Sequence, residues 1–575
     1  MYKQTLFRVL FACLFVATLV CSCTRKAETY LYLSKGDQLA FPEASLDLKK
    51  TGVCFSGGGT RAMTCAAGQM KALHDLDLWQ HFGYISSVSG GSWASSIFTY
   101  YEAVEGGPQN DEELLGRPLG AENLTMEYLR KPVPKEWLFH PVTIDLTKRL
   151  LHNLRTDDET LGFEESPHDI WIDAIGAVYL QPFGLYGDRA RRYFSYDENS
   201  VRSILNRAPR LKLSENDFHL VHNQKEDAHR PYLVMNSCII SPPIDFPIKV
   251  PAPLSVMNYS PLGVGSAKFN EAEGFTGNLT DKFPVGGGFI EPFAMGGSAP
   301  IRTPTVTDKG FSLAEVRLSE RHRFRLADAV GTSSAAYAVT IAQSERDEII
   351  TDLLALGSII PREEYWAPGK TNTLAREYGF GDGGSLENFG VLSLLQRDVD
   401  RLVVFVNTDT PIDITHKEGE PVSNTQVIDY DFYSLFGDFT FGNHTRNHVF
   451  SKEDFYDVFD QFKRCIQDGK TVKAYTKTTT IPNKWWGIKA KEVEILWFYN
   501  ELVPEWKEKL NEEIQREIDE CSRGEFPDFP QYKTEFPEKL PFIVELSPAM
   551  AKLLYELQYY NVHSNADAFD FIKGN

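Results

Sequence analysis

The chain has 575 residues, a formal net charge of −20 and 13% aromatic residues. Its length is enough for a large core in one elaborated domain or two packed ones, and the aromatic content excludes general disorder. The negative balance excludes a nucleic-acid backbone as partner and simple electrostatic capture by an anionic membrane.

Taken in chain order, Met1 to Arg8 carries Lys3 and Arg8, and Val9 to Val20 is an apolar run too short to span a bilayer comfortably. Val20-Cys21-Ser22-Cys23 resembles a bacterial lipobox. The expectation is a signal peptide over 1–22 that is removed, leaving Cys23 as the lipid-anchored first residue of a mature chain of charge −22. That would place the protein on a bacterial cell envelope, at the outer membrane, with its face open. An uncleaved signal anchor or an ordinary secretory peptide is the alternative. Residues 23–50 read as the lipid-anchored tether. The remaining cysteines, Cys54, Cys65, Cys238, Cys465 and Cys521, are odd in number and scattered. They suit buried free thiols and fit neither a disulfide framework nor a zinc site, so no metal or cofactor is expected.

Thr51 to Tyr101 holds two consecutive strand-turn-helix units. Val53 to Phe55 is a short apolar run ending in Gly57, Gly58 and Gly59, and Ala62, Met63, Ala66, Ala67, Met70 and Leu73 then recur at helical spacing. Glycines leave the backbone free to take φ > 0 and to approach a ligand, and a helix N-terminus focuses positive partial charge there. Such a loop suits an anion or an oxyanion. In the second unit Tyr84 to Val88 is strand-like, Ser89-Gly90-Gly91 is the turn, and Trp93, Ile97, Phe98 and Tyr101 form the apolar face of a helix. Ser89 therefore sits at a sharp elbow with glycines beside it. Either motif alone is usually a turn. Two adjacent parallel strands would bring both loops to one sheet edge.

Beyond Gly106 the composition turns polar, and an insertion is expected over about 106–325, with strands such as Pro231 to Ile240 and an irregular lid-like loop from Phe283 to Thr305. A small-residue helix is expected over 326–339. Asp382 follows in G-D-G-G-S-L-E-N at 381–388, before a helix and the buried strand Arg401 to Val406. A D-G pair is ordinarily a turn. With an unpartnered elbow serine in the same chain, Asp382 is the best candidate base. Nearer the C-terminus, Asn500 to Cys521 reads as acidic helix and Lys484-Trp485-Trp486-Gly487-Ile488-Lys489 as an aromatic core strand rather than a lipid contact. His444 and His448 have helical metal-pair spacing but no third ligand, and read as structural or surface residues.

These segments resemble the cytosolic phospholipase A2 and patatin superfamily of acyl hydrolases. S-G-G-G-T-R-A-M at 56–63 resembles its oxyanion loop, V-S-G-G-S-W at 88–93 its nucleophile elbow, and G-D-G-G-S-L-E-N its aspartate loop. N-Y-S-P-L-G-V-G at 258–265, V-G-T-S-S-A at 330–335 and the segment 553–567 are similar to the cytosolic phospholipase branch in the same order. The resemblance implies an α/β fold with a three-layer α/β/α core over 51–575 and a cap inserted between Ser89 and Asp382, 293 residues apart. Ser87 stands where the family's elbow has its first glycine, and the branch's second headgroup arginine falls near Thr410. No counterpart of the branch's calcium-dependent membrane domain is expected, the lipoprotein signal taking its place.

The resemblance further implies a lipid acyl hydrolase of phospholipase A or lysophospholipase type, acting on phospholipid or lysophospholipid at a membrane or micelle surface. Ser89 and Asp382 would form a catalytic dyad, Gly57, Gly58 and Gly59 the oxyanion hole, and Arg61 a headgroup contact. Two alternatives remain open. One is a Ser-His-Asp esterase, for which His74 is the histidine nearest in sequence. The other is an inactive surface lipoprotein that binds lipid or a partner.

Overall fold

The computed structural model describes residues 24–146, 169–187, 193–221, 230–240, 254–276, 279–302, 304–306, 311–319, 324–338, 360–370, 374–417, 422, 427–437, 443–533 and 545–574. The signal segment 1–22 and Cys23 lie outside the described residues.

A 14-stranded mixed sheet organises the chain. Its strands are β1 (Thr24–Leu33), β2 (Thr51–Phe55), β3 (Tyr84–Val88), β4 (Tyr232–Ile240), β5 (Leu254–Ser260), β6 (Gly263–Ser266) and β7 (Gly288–Ile290). They continue with β8 (Thr305–Val306), β9 (Ser312–Ser319), β10 (Arg362–Tyr365), β11 (Arg376–Asp382), β12 (Arg401–Val406), β13 (Lys473–Thr479) and β14 (Glu492–Tyr499). The helices that bear on the site are α1 (Gly59–Asp75), α2 (Gly90–Tyr100), α3 (Ile170–Ile175), α4 (Leu326–Thr332), α5 (Val391–Gln396) and α6 (Pro548–His563).

Along the sheet the order is β8-β9-β1-β7-β6-β5-β4-β3-β2-β12-β14-β13, with β11 joined to β4 and β10 to β11. The neighbours β4, β3, β2, β12 and β14 run parallel. β2 and β3 are buried at every residue, as strands covered on both faces must be. The crossovers β2-α1-β3 and β3-α2 onward to β4 join parallel strands and advance in one direction along the sheet, so right-handed crossing sets α1 and α2 on one face. β11 is antiparallel to β12, and α5 between them packs on β2 at Gly52, giving the three layers expected of an α/β chain. A Cβ on Gly52 of β2 would fall 2.5 Å from Leu394 of α5, so that residue must be small. On the other face Gly68 lets α1 meet α6, where a Cβ would lie 2.4 Å from the Tyr555 carbonyl.

Three expectations are corrected here. Residues 24–50 are no free tether. β1 begins at Thr24 and pairs with β9 and β7 on its two sides. Farther along the same segment Glu43 forms a 2.7 Å ion pair with Arg397, both buried. Second, the stretch 106–325 does not stand apart as a cap, because it supplies β4 to β9 of the central sheet. Third, Gly288–Ile290, placed by its glycines in an irregular loop, is a strand between β1 and β6, and two of its close neighbours are backbone: a Cβ on Gly288 would lie 2.4 Å from the Tyr32 carbonyl. Those glycines mark crowding rather than freedom.

Elsewhere the reading holds in kind. α4 is shorter than expected and gives way to a turn at Ser333. Trp486 is buried and accepts at its carbonyl from Gln396, so the Trp pair lies against the core, though as a turn rather than a strand. Cys54, Cys65 and Cys238 are buried free thiols as expected, whereas Cys465 is only half-buried and Cys521 is exposed. Among the described residues no helix is long and apolar enough to cross a membrane.

The sheet's decisive feature is at β4. Its first half pairs with β3, with Val88 opposite Asn236, and its second half pairs with β11, with Asp382 opposite Ser237. β3 and β11 approach each other end to end along one side of the same strand. The residue following β3 is Ser89 and the last residue of β11 is Asp382.

Candidate active site

Ser89 has φ 51° and ψ −121°, a conformation sparsely populated by residues with a side chain. It leaves β3 and caps α2, whose Ser92 and Trp93 amides donate to its carbonyl at 2.8 and 3.2 Å. The neighbouring glycines are required by what crosses over them. A Cβ on Gly90 would lie 2.0 Å from the Gly59 carbonyl, and one on Gly91 2.5 Å from that of Phe55. The loop after β2 therefore rests directly on the elbow after β3.

That loop turns at Gly58 (φ 128°) and Gly59 (φ 56°). Among the described residues neither amide donates to a protein acceptor. Gly57 behaves differently. Its amide donates to the Asn388 carbonyl at 2.9 Å, and its Cα lies so near Ser89 that a Cβ would stand 3.2 Å from the serine Cβ. Of the three glycines expected to hold an oxyanion, Gly57 has its N–H already committed, and its part is to let the loop and the elbow touch.

Asp382 is 4% exposed and Ser89 8% exposed, so the pair is nearly closed off from bulk water. Burial pushes the Asp382 carboxyl up to about 6, and hydrogen bonds from the Ser89 hydroxyl and the Gly384 amide, the latter at 2.8 Å, hold it from going higher. The structure thus brings together the serine and the aspartate that the sequence singled out.

Several residues here were passed over by the sequence reading. Asn388 carries the carbonyl that takes the Gly57 amide, and its Oδ1 would be 2.2 Å from a Cβ on Gly57 and 2.7 Å from one on Gly384. It joins the aspartate loop to the glycine loop. Glu387 is buried, its carboxyl pushed up to about 7, and it accepts from the amides of Phe389 (2.7 Å), Gly390 (3.1 Å) and Leu392 (3.2 Å), which shapes the start of α5. Asn236 of β4 donates to Ser86 Oγ and the Ser87 carbonyl, both at 2.9 Å, and accepts from Asn258 at 3.0 Å and Ser393 at 2.6 Å. The only sequence signal for Asn388 and Glu387 was their place in the 381–388 motif.

Arg61, 4% exposed, is held in place. Its Nε donates to the Asn407 carbonyl at 3.0 Å and its Nη1 to that of Tyr532 at 2.6 Å, with Asp409 at 3.4 Å. Its Nη2 lies against Gly58, 2.6 Å from where a Cβ would be. Arg61 is therefore packed beneath the glycine loop. Thr410, where a second arginine would fall, donates to Asp409 at 3.4 Å. Half-buried Asp431 feels Asp429, Glu387, Asp382 and Asp409, and desolvation together with these neighbours raises its carboxyl.

The histidines lie elsewhere. His74 meets Glu112 at 3.0 Å on the surface. It forms with Asp75 and Glu112 a group of metal-ligand type, but Lys71 Nζ already sits 2.7 Å from each of those carboxylates. His444 lies 3.2 Å from Asp431 and burial lowers it to about 4, so it is a structural residue, as expected.

No protein-family profile matches the chain. Among curated proteins a 47-residue stretch is 40% identical to the "Putative meiotic phospholipase SPO1" of Saccharomyces cerevisiae, covering 8% of this chain and 7% of that protein. Among solved structures the chain is similar to human GIVD cytosolic phospholipase A2, at 13% identity and a TM-score of 0.43, over 91% of this chain and 62% of that one. Its complex with methyl γ-linolenyl fluorophosphonate and terbium chloride aligns at 12% identity and a TM-score of 0.40, over 91% and 58%. The chain thus spans less than two thirds of the length of the human enzyme and a small fraction of the yeast protein.

The backbone strain at Ser89 is directly measurable. Ser89→Gly accommodates φ 51° without a side chain and is expected to be more stable than Ser89→Ala by about 1 kcal/mol in denaturant unfolding. Equal stability of the two variants would show that the elbow is not strained.

Proposed function

We propose that this protein is a lipid acyl hydrolase of phospholipase A or lysophospholipase type, cleaving carboxylic esters through a Ser89–Asp382 dyad. The observation that carries this reading is the elbow serine hydrogen-bonded to a buried aspartate beside two uncommitted glycine amides. The phospholipase description of the yeast protein supports a lipid substrate.

In this mechanism Asp382 accepts the Ser89 proton as Oγ attacks the ester carbonyl. The amides of Gly58 and Gly59 receive the oxyanion of the tetrahedral intermediate, a contribution of about 3–4 kcal/mol per donor. Collapse expels the alcohol with the proton from Asp382 and leaves an acyl-serine. Water then gives its proton to Asp382 and attacks, releasing the fatty acid and restoring the serine. An aspartate can serve as this base because burial raises it towards the working pH. The Ser-His-Asp alternative has less support: Ser89 and Asp382 take no histidine as partner among the described residues, and His74 is engaged by Glu112.

Fatty-acid release from mixed phospholipid and lysophospholipid micelles, by the chain from Thr24 onward, tests the dyad. Ser89→Ala and Asp382→Asn should each lose about 10³-fold or more with the fold intact, and release should survive a chelator. The base must be ionised, so the rate should fall about tenfold per pH unit below about 6. No release from any lipid, with Ser89 also unreactive to a serine-directed fluorophosphonate, would favour a binding protein instead.

Arg61 has two roles in this reading: it supports Gly58, and its Nη2 is the donor left for a phosphate headgroup. Arg61→Lys should reduce phospholipid hydrolysis at least tenfold more than hydrolysis of an uncharged aryl ester. Equal losses on both would leave only the supporting role. The anchor is likewise proposed, with Cys23 lipidated and β1 starting at the next residue. Cys23→Ala should shift the protein from the membrane fraction to the soluble one, and unchanged partition would refute it.

A further inference from the structure

The strand ends that carry Ser89 and Asp382 stop pairing with β4 just where their side chains are used, which leaves their amides to be satisfied by something else. Both go to one short turn. The Ser89 amide donates to the Ser333 carbonyl at 3.1 Å, and the Asp382 amide to the Ala335 carbonyl at 3.4 Å. The turn is held from both sides. Ser333 Oγ donates to the Asn236 carbonyl of β4 at 2.6 Å and lies 2.9 Å from Ser92 Oγ of α2, which in turn is 3.2 Å from Ser87 Oγ of β3. Behind it, α4 is pinned by Trp171 of α3, whose Nε1 donates to the Gly331 carbonyl at 2.8 Å. All of these hydroxyls are buried.

From this geometry we infer that the turn Ser333–Ala335 is a clasp that sets the separation of Ser89 and Asp382, with Ser333 as a positioning residue for the reaction. The inference rests on the dyad proposed above. Its physical basis is that two carbonyls two residues apart have a fixed spacing, so two amides bound to them inherit it. The Ser333 hydroxyl, bonded to β4 and facing α2, orients that turn. Displacements of about 1 Å in such a pair cost roughly a hundredfold in rate.

The test compares Ser333→Ala with Ser96→Ala, a buried serine on α2 whose hydroxyl, among the described residues, bonds only within its own helix, to the Trp93 carbonyl at 3.1 Å. Fatty-acid release should show kcat down ten- to hundredfold in Ser333→Ala, with KM within about twofold and with Ser96→Ala close to wild type. The acid limb of the rate profile should also move upward in Ser333→Ala. A longer Ser89–Asp382 contact removes a hydrogen bond that lowers Asp382 and leaves burial opposed by the Gly384 amide alone. The other ionisable groups facing Asp382, Cys238 of β4 and Asp431, are untouched by the substitution. A kcat and acid limb equal to those of Ser96→Ala would overturn the clasp. Should Ser333→Ala fail to fold, Ser92→Ala removes the partner hydroxyl and should lower kcat three- to tenfold with the same shift of the acid limb; wild-type behaviour there would overturn it equally. Release that persists in Ser89→Ala would sink the dyad itself. Loss in Ser89→Ala with retention in Ser333→Ala would remove only the clasp.

Discussion

The arrangement depends on one strand being shared by two others. β4 spends its hydrogen bonds first on β3 and then on β11, so Val88 and Asp382 end opposite the consecutive residues Asn236 and Ser237, and Ser89, 293 positions before Asp382, follows directly after Val88. A loop-borne aspartate would lose conformational freedom each time it met the serine. Here register does that work, since one step along β4 is about 3.3 Å. The connection from β4 to β11 can therefore be long, provided it returns β5 to the other edge of β4 and the 333–335 turn to the two strand ends.

Sharing β4 leaves three loops in one small space, and glycine is what lets them interpenetrate. The loop after β2 crosses the elbow at Gly90 and Gly91, the aspartate loop meets it through Asn388 at Gly57, and each contact places backbone or carboxamide where a Cβ would be. The strain at Ser89 is then held by its surroundings rather than by its own preference, since Asn236, Ser333 and the overlying glycine loop close on it from three directions. Behind them runs a buried polar chain, from Glu43 through Arg397 and Asn258 to Asn236. The segment 24–50 is thus coupled, through Glu43, to the strands that present the serine.

The strand-turn-helix units, the elbow, the glycine loop and the placement of Asp382 before a helix and the buried strand Arg401–Val406 were legible in the sequence, whereas β11, which ends at Asp382, was not. Periodicity and glycine spacing are local, and the chemistry at stake needs those residue types at those turns. What escaped were features decided by partners distant in sequence. Gly288–Ile290 looked like loop because glycines ordinarily signal turns, yet there they allow β1 and β6 to close on a crowded strand. Residues 24–33 looked like a tether because a strand alternating between small, charged and aromatic residues carries little hydrophobic signal until β7 and β9 flank it. Ser333 showed only as part of the 330–335 segment and Asn236 only as part of a strand, since the role of a buried serine or asparagine is read from its hydrogen bonds and those come from other elements.

In the proposed dyad, burial is what lets an aspartate stand in for the histidine of more familiar hydrolases, and it is also why the site needs so much support. Raising Asp382 to about 6 requires removing it from water, and the same enclosure takes in Glu387 and Asp431, whose carboxyls rise as well. Two of them are kept tolerable by hydrogen bonds, Asp382 from Ser89 and Gly384 and Glu387 from three backbone amides, while burial and the neighbouring acids raise Asp431. A histidine base would need none of this, because its ordinary value already lies near neutrality. The two-residue site therefore exchanges a third side chain for an environment, and that environment is built from the splinting strand, the interlocked glycine loops and the turn that receives both amides.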